Sequence, residues 1–66
     1  MNDRNDYKVR GKRTSLLKIK EEMRARRIPC WHSHLGGWLR IEINNGAELQ
    51  ILQDACYNFD CRYELF

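Results

Sequence analysis

With 66 residues, 42 % of them hydrophobic and 32 % charged, the chain is expected to form one small domain that buries only about 60 % of its unfolded surface. Nearly every apolar side chain is then needed for the core, which argues against an elaborate enzyme, while the apolar content argues against wholesale disorder. The formal net charge of +3 conceals an asymmetry: residues up to Arg27 hold ten basic against four acidic side chains, net +6, and those from Ile28 onward two basic against five acidic, net −3.

Residues 1–13, MNDRNDYKVRGKR, are polar and show no apolar periodicity. They read as a flexible basic arm ahead of a single α+β domain over residues 14–66. A helix over about 15–28 is predicted, with Thr14 or Ser15 as N-cap and Leu16, Ile19 and Met23 forming one buried stripe at i, i+3 and i+7. Pro29 cannot continue it and biases Ile28 toward an extended conformation.

The remainder reads as an antiparallel sheet of three to four strands, over about 30–35, 37–44, 47–53 and 57–65, with the helix packed across one face. The first strand is joined to the second around Gly36-Gly37, and its register is ambiguous. Burying Trp31 removes more apolar area from water than burying Cys30, so Trp31 is expected inward and His32 and His34 outward, beside Trp38. Leu39, Ile41 and Ile43 alternate with polar neighbours, as do Ala47, Leu49 and Ile51, and Asn45-Gly46 between them suggests a hairpin. A three-residue loop pairs Ile43 with Ala47 and sets Glu42 facing Glu48 on the outer surface. Tyr57, Phe59, Cys61, Tyr63 and Leu65 alternate likewise and form a half-buried last strand, whose edge is open to pairing with a second copy.

No motif fixes a reaction. The clearest functional signal is the basic set: Lys20, Arg24 and Arg27 at i, i+4 and i+7 of the helix, away from its apolar stripe, together with Lys8, Arg10, Lys12 and Arg13 of the arm. Such a surface suits an anionic partner, DNA or RNA included. Trp38 and Arg40 on the outer sheet face have the composition of a protein-interface anchor or of a base-stacking platform. Cys30-x-His32-x-His34 with Cys56 and Cys61 lacks the CxxC spacing of structural zinc sites, so no metal and no cofactor are expected. No apolar run nears the roughly 18 residues of a membrane span, and the first fifteen residues are too polar for a signal peptide. Three cysteines, an odd number, fit reduced thiols in a cytoplasmic protein.

In size, charge splitting and a single compact α/β layer, the chain resembles small phage-type accessory proteins such as anti-CRISPR and other anti-defence inhibitors. That resemblance implies a stoichiometric, non-catalytic inhibitor that occludes a host nucleic-acid-handling complex, here through an acidic and aromatic sheet surface of Trp38, Glu42, Glu48, Asp60 and Glu64. The stretch Trp31-His32-Ser33-His34 is faintly similar to the first-hairpin histidine of HicA-type toxin ribonucleases, although that family's Gly-Ser-His context is absent. That resemblance implies RNA cleavage. The third alternative, direct DNA or RNA binding, would use the basic arm and helix, with Trp38 or Tyr7 stacking on bases.

Overall fold

The computed structural model describes residues 4–33 and 37–66. The element order is β1 (Asn5–Arg10), α1 (Arg13–Ala25), β2 (Cys30–His32), β3 (Trp38–Ile43), α2 (Gly46–Asn58) and β4 (Arg62–Leu65). The sheet runs β2-β3-β1-β4 with every neighbouring pair antiparallel. Each helix therefore links two strands that have a third strand between them, the split β-α-β arrangement of a ferredoxin-like α+β plan.

Two expectations are corrected by this order. Residues 5–10, read as part of a flexible arm, form an interior strand hydrogen-bonded on both sides to β3 and β4. Tyr7 and Val9 alternate there with Asp6, Lys8 and Arg10, and Val9 is fully buried. The domain thus includes residues assigned to the arm. The predicted strand 47–53 and the start of the predicted strand 57–65 are a second helix, and β4 begins only at Arg62.

Local chemistry explains α2. The Asn45 side chain accepts a hydrogen bond from the Glu48 backbone N–H (2.9 Å), and the Glu48 carboxylate accepts one from the Asn44 N–H (2.8 Å). This is a reciprocal cap of the Asn-x-x-Glu kind, so Asn45-Gly46 starts a helix and turns no hairpin. Leu52 and Cys56 are buried, with Leu49 and Phe59 packed against the same core. Helix α1 spans Arg13–Ala25 instead of 15–28, and its N-cap is Lys12, which makes no side-chain cap.

Both helices end in the same way. The Ile28 N–H reaches the Met23 carbonyl and the Cys61 N–H reaches the Cys56 carbonyl, each at 2.9 Å. The residues just before, Arg27 (φ 59°) and Asp60 (φ 55°), are left-handed. These are Schellman endings made without glycine. Glycine matters elsewhere: a Cβ on Gly11 would stand 2.6 Å from the Cys61 sulfur, so a side chain at the β1–α1 junction would force Cys61 to move.

Both helices pack on one side of the sheet. Val9, Leu39 and Ile41 from the strands meet Leu16, Ile19 and Met23 of α1 and Leu52 of α2, all essentially inaccessible. Each such side chain contributes roughly 1.5–3 kcal/mol through burial. Among the described residues the opposite side of the sheet carries no helix. The candidate site lies on that open side.

Candidate nucleic-acid interface

Strand register fixes the open face as three rows. Across the first row lie Trp38, Arg10 and Arg62; across the second Trp31, Arg40, Lys8 and Glu64; across the third Glu42 and Asp6. Phe66 follows β4, its N–H bonded to the Asp6 carbonyl at the level of the third row, and its ring lies against Arg40 and Trp38. Alternation along each strand sends Leu39, Ile41, Val9 and Tyr7 inward, leaving this outer set facing solvent.

Three rings and the cations around them form one continuous patch. The rings of Trp38 and Phe66 are 5.6 Å apart, the Lys8 ammonium lies 4.8 Å from the Trp38 ring, and the Arg40 guanidinium is 4.6 Å from Phe66 and 5.8 Å from Trp31. Trp31 is 52 % exposed and Phe66 59 %. A depression of about 410 Å3 opens between the two indoles, lined also by Arg4, His32, Ser33 and Arg40.

The expected place of Trp31 is overturned. Cys30 pairs with Ile41 and His32 with Leu39, so those two side chains face the helices, and Trp31, opposite Arg40, faces out. Area alone does not settle the register: Cys30 takes the inward place, packed against the core with Lys20 and Arg24 of α1 near its thiol. Trp38, paired with Arg10, is outward as expected.

Folding also mixes the charges that the sequence keeps apart. The ion pairs Arg4–Glu42 (2.5 Å), Arg10–Glu64 (3.4 Å) and Arg40–Asp6 each bring a cation and a carboxylate together across neighbouring strands, or from the residue just before one. Each joins the first 27 residues to the remainder. This follows from β1 lying between β3 and β4. On the sheet the sequence asymmetry is therefore largely offset. What remains is local: five cations against three carboxylates on the open face, with Lys8 and Arg62 in no ion pair among the described residues. Asp6 gives one oxygen to Arg40, at 3.0 Å from Nε, while its other oxygen is buried and unpartnered.

The sequence-derived site residues divide three ways. Arg10, Trp38 and Arg40 share the open face, and Lys12 and Arg13 lie at the β1–α1 junction. Lys20 and Arg24 project from α1 toward the β2 edge, where their charge bears on the Cys30 thiol, and Arg27 occupies the left-handed turn. Trp31 and Phe66 are not among the sequence-derived set, and Lys8, expected on a flexible arm, lies on β1 instead. The alternation Tyr7-Lys8-Val9-Arg10 is the signal that places Lys8 on this face. The expected acidic surface is not brought together: Glu48 caps α2, Asp60 follows its far end, and Glu42 and Glu64 are paired with arginines. The expected Glu42–Glu48 opposition does not exist.

The thiols are poor nucleophiles. Burial pushes the Cys56 thiol up to about 12, with Cys61 adding to the effect, and burial also raises Cys30 (against the pull of Lys20 and Arg24) and Cys61. Among the described residues no three metal-ligating side chains come together; His34 lies outside them.

No protein-family model matches the chain, and no curated protein or solved structure is detectably similar to it.

Proposed function

We propose that this chain is a small non-catalytic binding protein that works by occlusion, covering nucleic acid directly with the open face of its sheet. One observation carries the reading. Arg10 faces Arg62 and Lys8 faces Arg40 in neighbouring registers of the open face. Directly opposed like charges destabilise a sheet, and a phosphate backbone laid along these rows removes the repulsion while its counterions are released. The rings between the cations supply the apolar contact that a phosphate-only surface lacks. The cations of α1 and the β1–α1 junction extend the basic surface beyond the face.

The test is binding of a labelled oligonucleotide over a salt series. Affinity falls steeply as salt rises. Lys8→Gln/Arg62→Gln lowers the slope of log K against log salt by about 0.7 for each phosphate no longer neutralised on a single strand, or about 0.9 on a duplex. Absence of binding to any DNA or RNA at low salt refutes the reading.

A second reading has its own observation. Tyr57 is 88 % exposed on α2, and β4 is an edge strand with Leu65 exposed. These features suit a protein partner, either a host nucleic-acid-handling complex blocked in the manner of a phage-type inhibitor or a second copy paired along β4. Sedimentation of the protein alone tests the second copy, and a purified host complex titrated with wild type and Tyr57→Ser tests the first. Among the described residues no helix is long and apolar enough to cross a membrane, and we place the protein in the cytoplasm, where its three thiols stay reduced.

A further inference from the structure

We infer that the nucleic acid held by this face is single-stranded, with one base stacked on Trp31 inside the depression between Trp31 and Trp38. This inference rests on the reading above and narrows it. A duplex presents phosphates and groove edges, because its base faces are stacked on one another; a single strand presents base faces as well. The two surfaces call for different protein chemistry, and the open face has that of the second.

The two indoles are not equivalent. Trp38 already has its ring contacts, with Phe66 at 5.6 Å and the Lys8 ammonium at 4.8 Å. Trp31 has Arg40 at 5.8 Å and is 52 % exposed. Folding gains little from an indole left in that position, since Cys30 and His32 take the inward places on the same strand. The depression beside it, about 410 Å3, falls within the roughly 300–1,000 Å3 range of small-molecule sites.

Its chemistry matches a nucleotide unit. The apolar wall is the pair of indoles, which accept any base because every base has a π-face. Arg40 stands opposite Trp31 on β3, and Lys8 stands opposite Arg40 on β1. A base on Trp31 thus leaves its phosphate beside two cations of the same row, and the next nucleotide continues toward Arg10 and Arg62. A flat phosphate-binding surface needs no such slot.

The experiment compares a labelled single strand with the blunt duplex of the same sequence, for wild type, Trp31→Ala and Trp31→Phe, with circular dichroism confirming that each variant is folded. The single strand is expected to bind more tightly than the duplex and to quench tryptophan fluorescence. Trp31→Ala is expected to weaken single-strand binding by roughly 5- to 150-fold, the span of one base stack removed, and Trp31→Phe to restore most of it. Duplex binding that equals or exceeds single-strand binding overturns the inference while leaving direct nucleic-acid binding in place, as does a Trp31→Ala protein that binds the single strand like wild type. Failure of both nucleic acids to bind overturns this inference and the reading beneath it.

Discussion

Arg10 on β1 and Arg62 on β4 stand directly opposite each other on the open side of the sheet. Arg10 reaches Glu64 at 3.4 Å, whereas Arg62 has no carboxylate partner among the described residues. Replacing Arg62 by Glu turns a like-charge pair into an opposite-charge one. Stability is expected to rise by a few tenths of a kcal/mol, measured by urea unfolding, because both side chains are exposed and screened. Nucleic-acid affinity is expected to fall in the same variant. A loss of stability with unchanged affinity would show that the opposition has no bearing on binding.

Trp31 and Ile41 occupy opposite sides of the same strand pair. Ile41→Ala is expected to cost about 2–5 kcal/mol, since the side chain is fully buried between the helices and the sheet; for a domain of this size that is enough to unfold it. Trp31→Ala is expected to cost less than about 1 kcal/mol, chiefly its interaction with Arg40. Equal losses in thermal melts would place Trp31 in the core.

Asn45 caps the helix over residues 46–58. Asn45→Ala removes the acceptor for the Glu48 N–H and is expected to cost about 1 kcal/mol, with Asn45→Asp close to wild type. A hairpin turn at Asn45-Gly46 would instead make Gly46→Val the damaging change and leave Asn45→Ala mild. Chemical denaturation of the three variants separates the two.

Alkaline pH should weaken the fold through Cys56. Its thiol is pushed from an ordinary 9.0 up to about 12 by burial first and by Cys61 second, so the folded state favours the neutral form. That contribution is fully present below about pH 9 and is lost as pH rises from 9 toward 12. Cys56→Ala, less stable than wild type at about pH 7.5 because of the cavity, should lose less on going to about pH 10.5, so that the gap in melting temperature narrows. A constant gap would mean that the thiol is not desolvated.

Much of the fold is legible in the sequence where one period dominates. Leu16, Ile19 and Met23 mark the buried stripe of α1, and Leu39, Ile41 and Ile43 the inner side of β3, giving an α+β chain with an antiparallel sheet. Helix α2 escapes that reading because Ala47, Leu49 and Ile51 also alternate. Leu49, Leu52, Cys56 and Phe59 at i, i+3, i+7 and i+10, behind an Asn-x-x-Glu cap, carry the stronger signal. β1 escapes it because Tyr7 and Val9 are its two apolar residues, too short an alternation to stand out among charged neighbours.

For the site, Arg10, Trp38 and Arg40 are marked by their residue types, but nothing local reveals that β1 lies between β3 and β4. That single fact sets Lys8 against Arg40 and pairs the basic half of the chain with the acidic half. The inward place expected for Trp31 fails because the register of β2 on β3, Cys30 to Ile41 and Trp31 to Arg40, is not written in β2 itself. Inter-strand order arises from long-range packing, and pattern within one segment does not encode it.

The most direct test of an open-face interface is amide and indole N–H shift mapping by NMR during titration with a short single-stranded oligonucleotide at low salt. The expected result is perturbation of Lys8, Arg10, Trp31, Trp38 and Arg40 on the sheet, including both indole N–H signals, with α1 and α2 little changed. Perturbation centred on Lys20, Arg24 and Arg27, with the tryptophans unmoved, would contradict it.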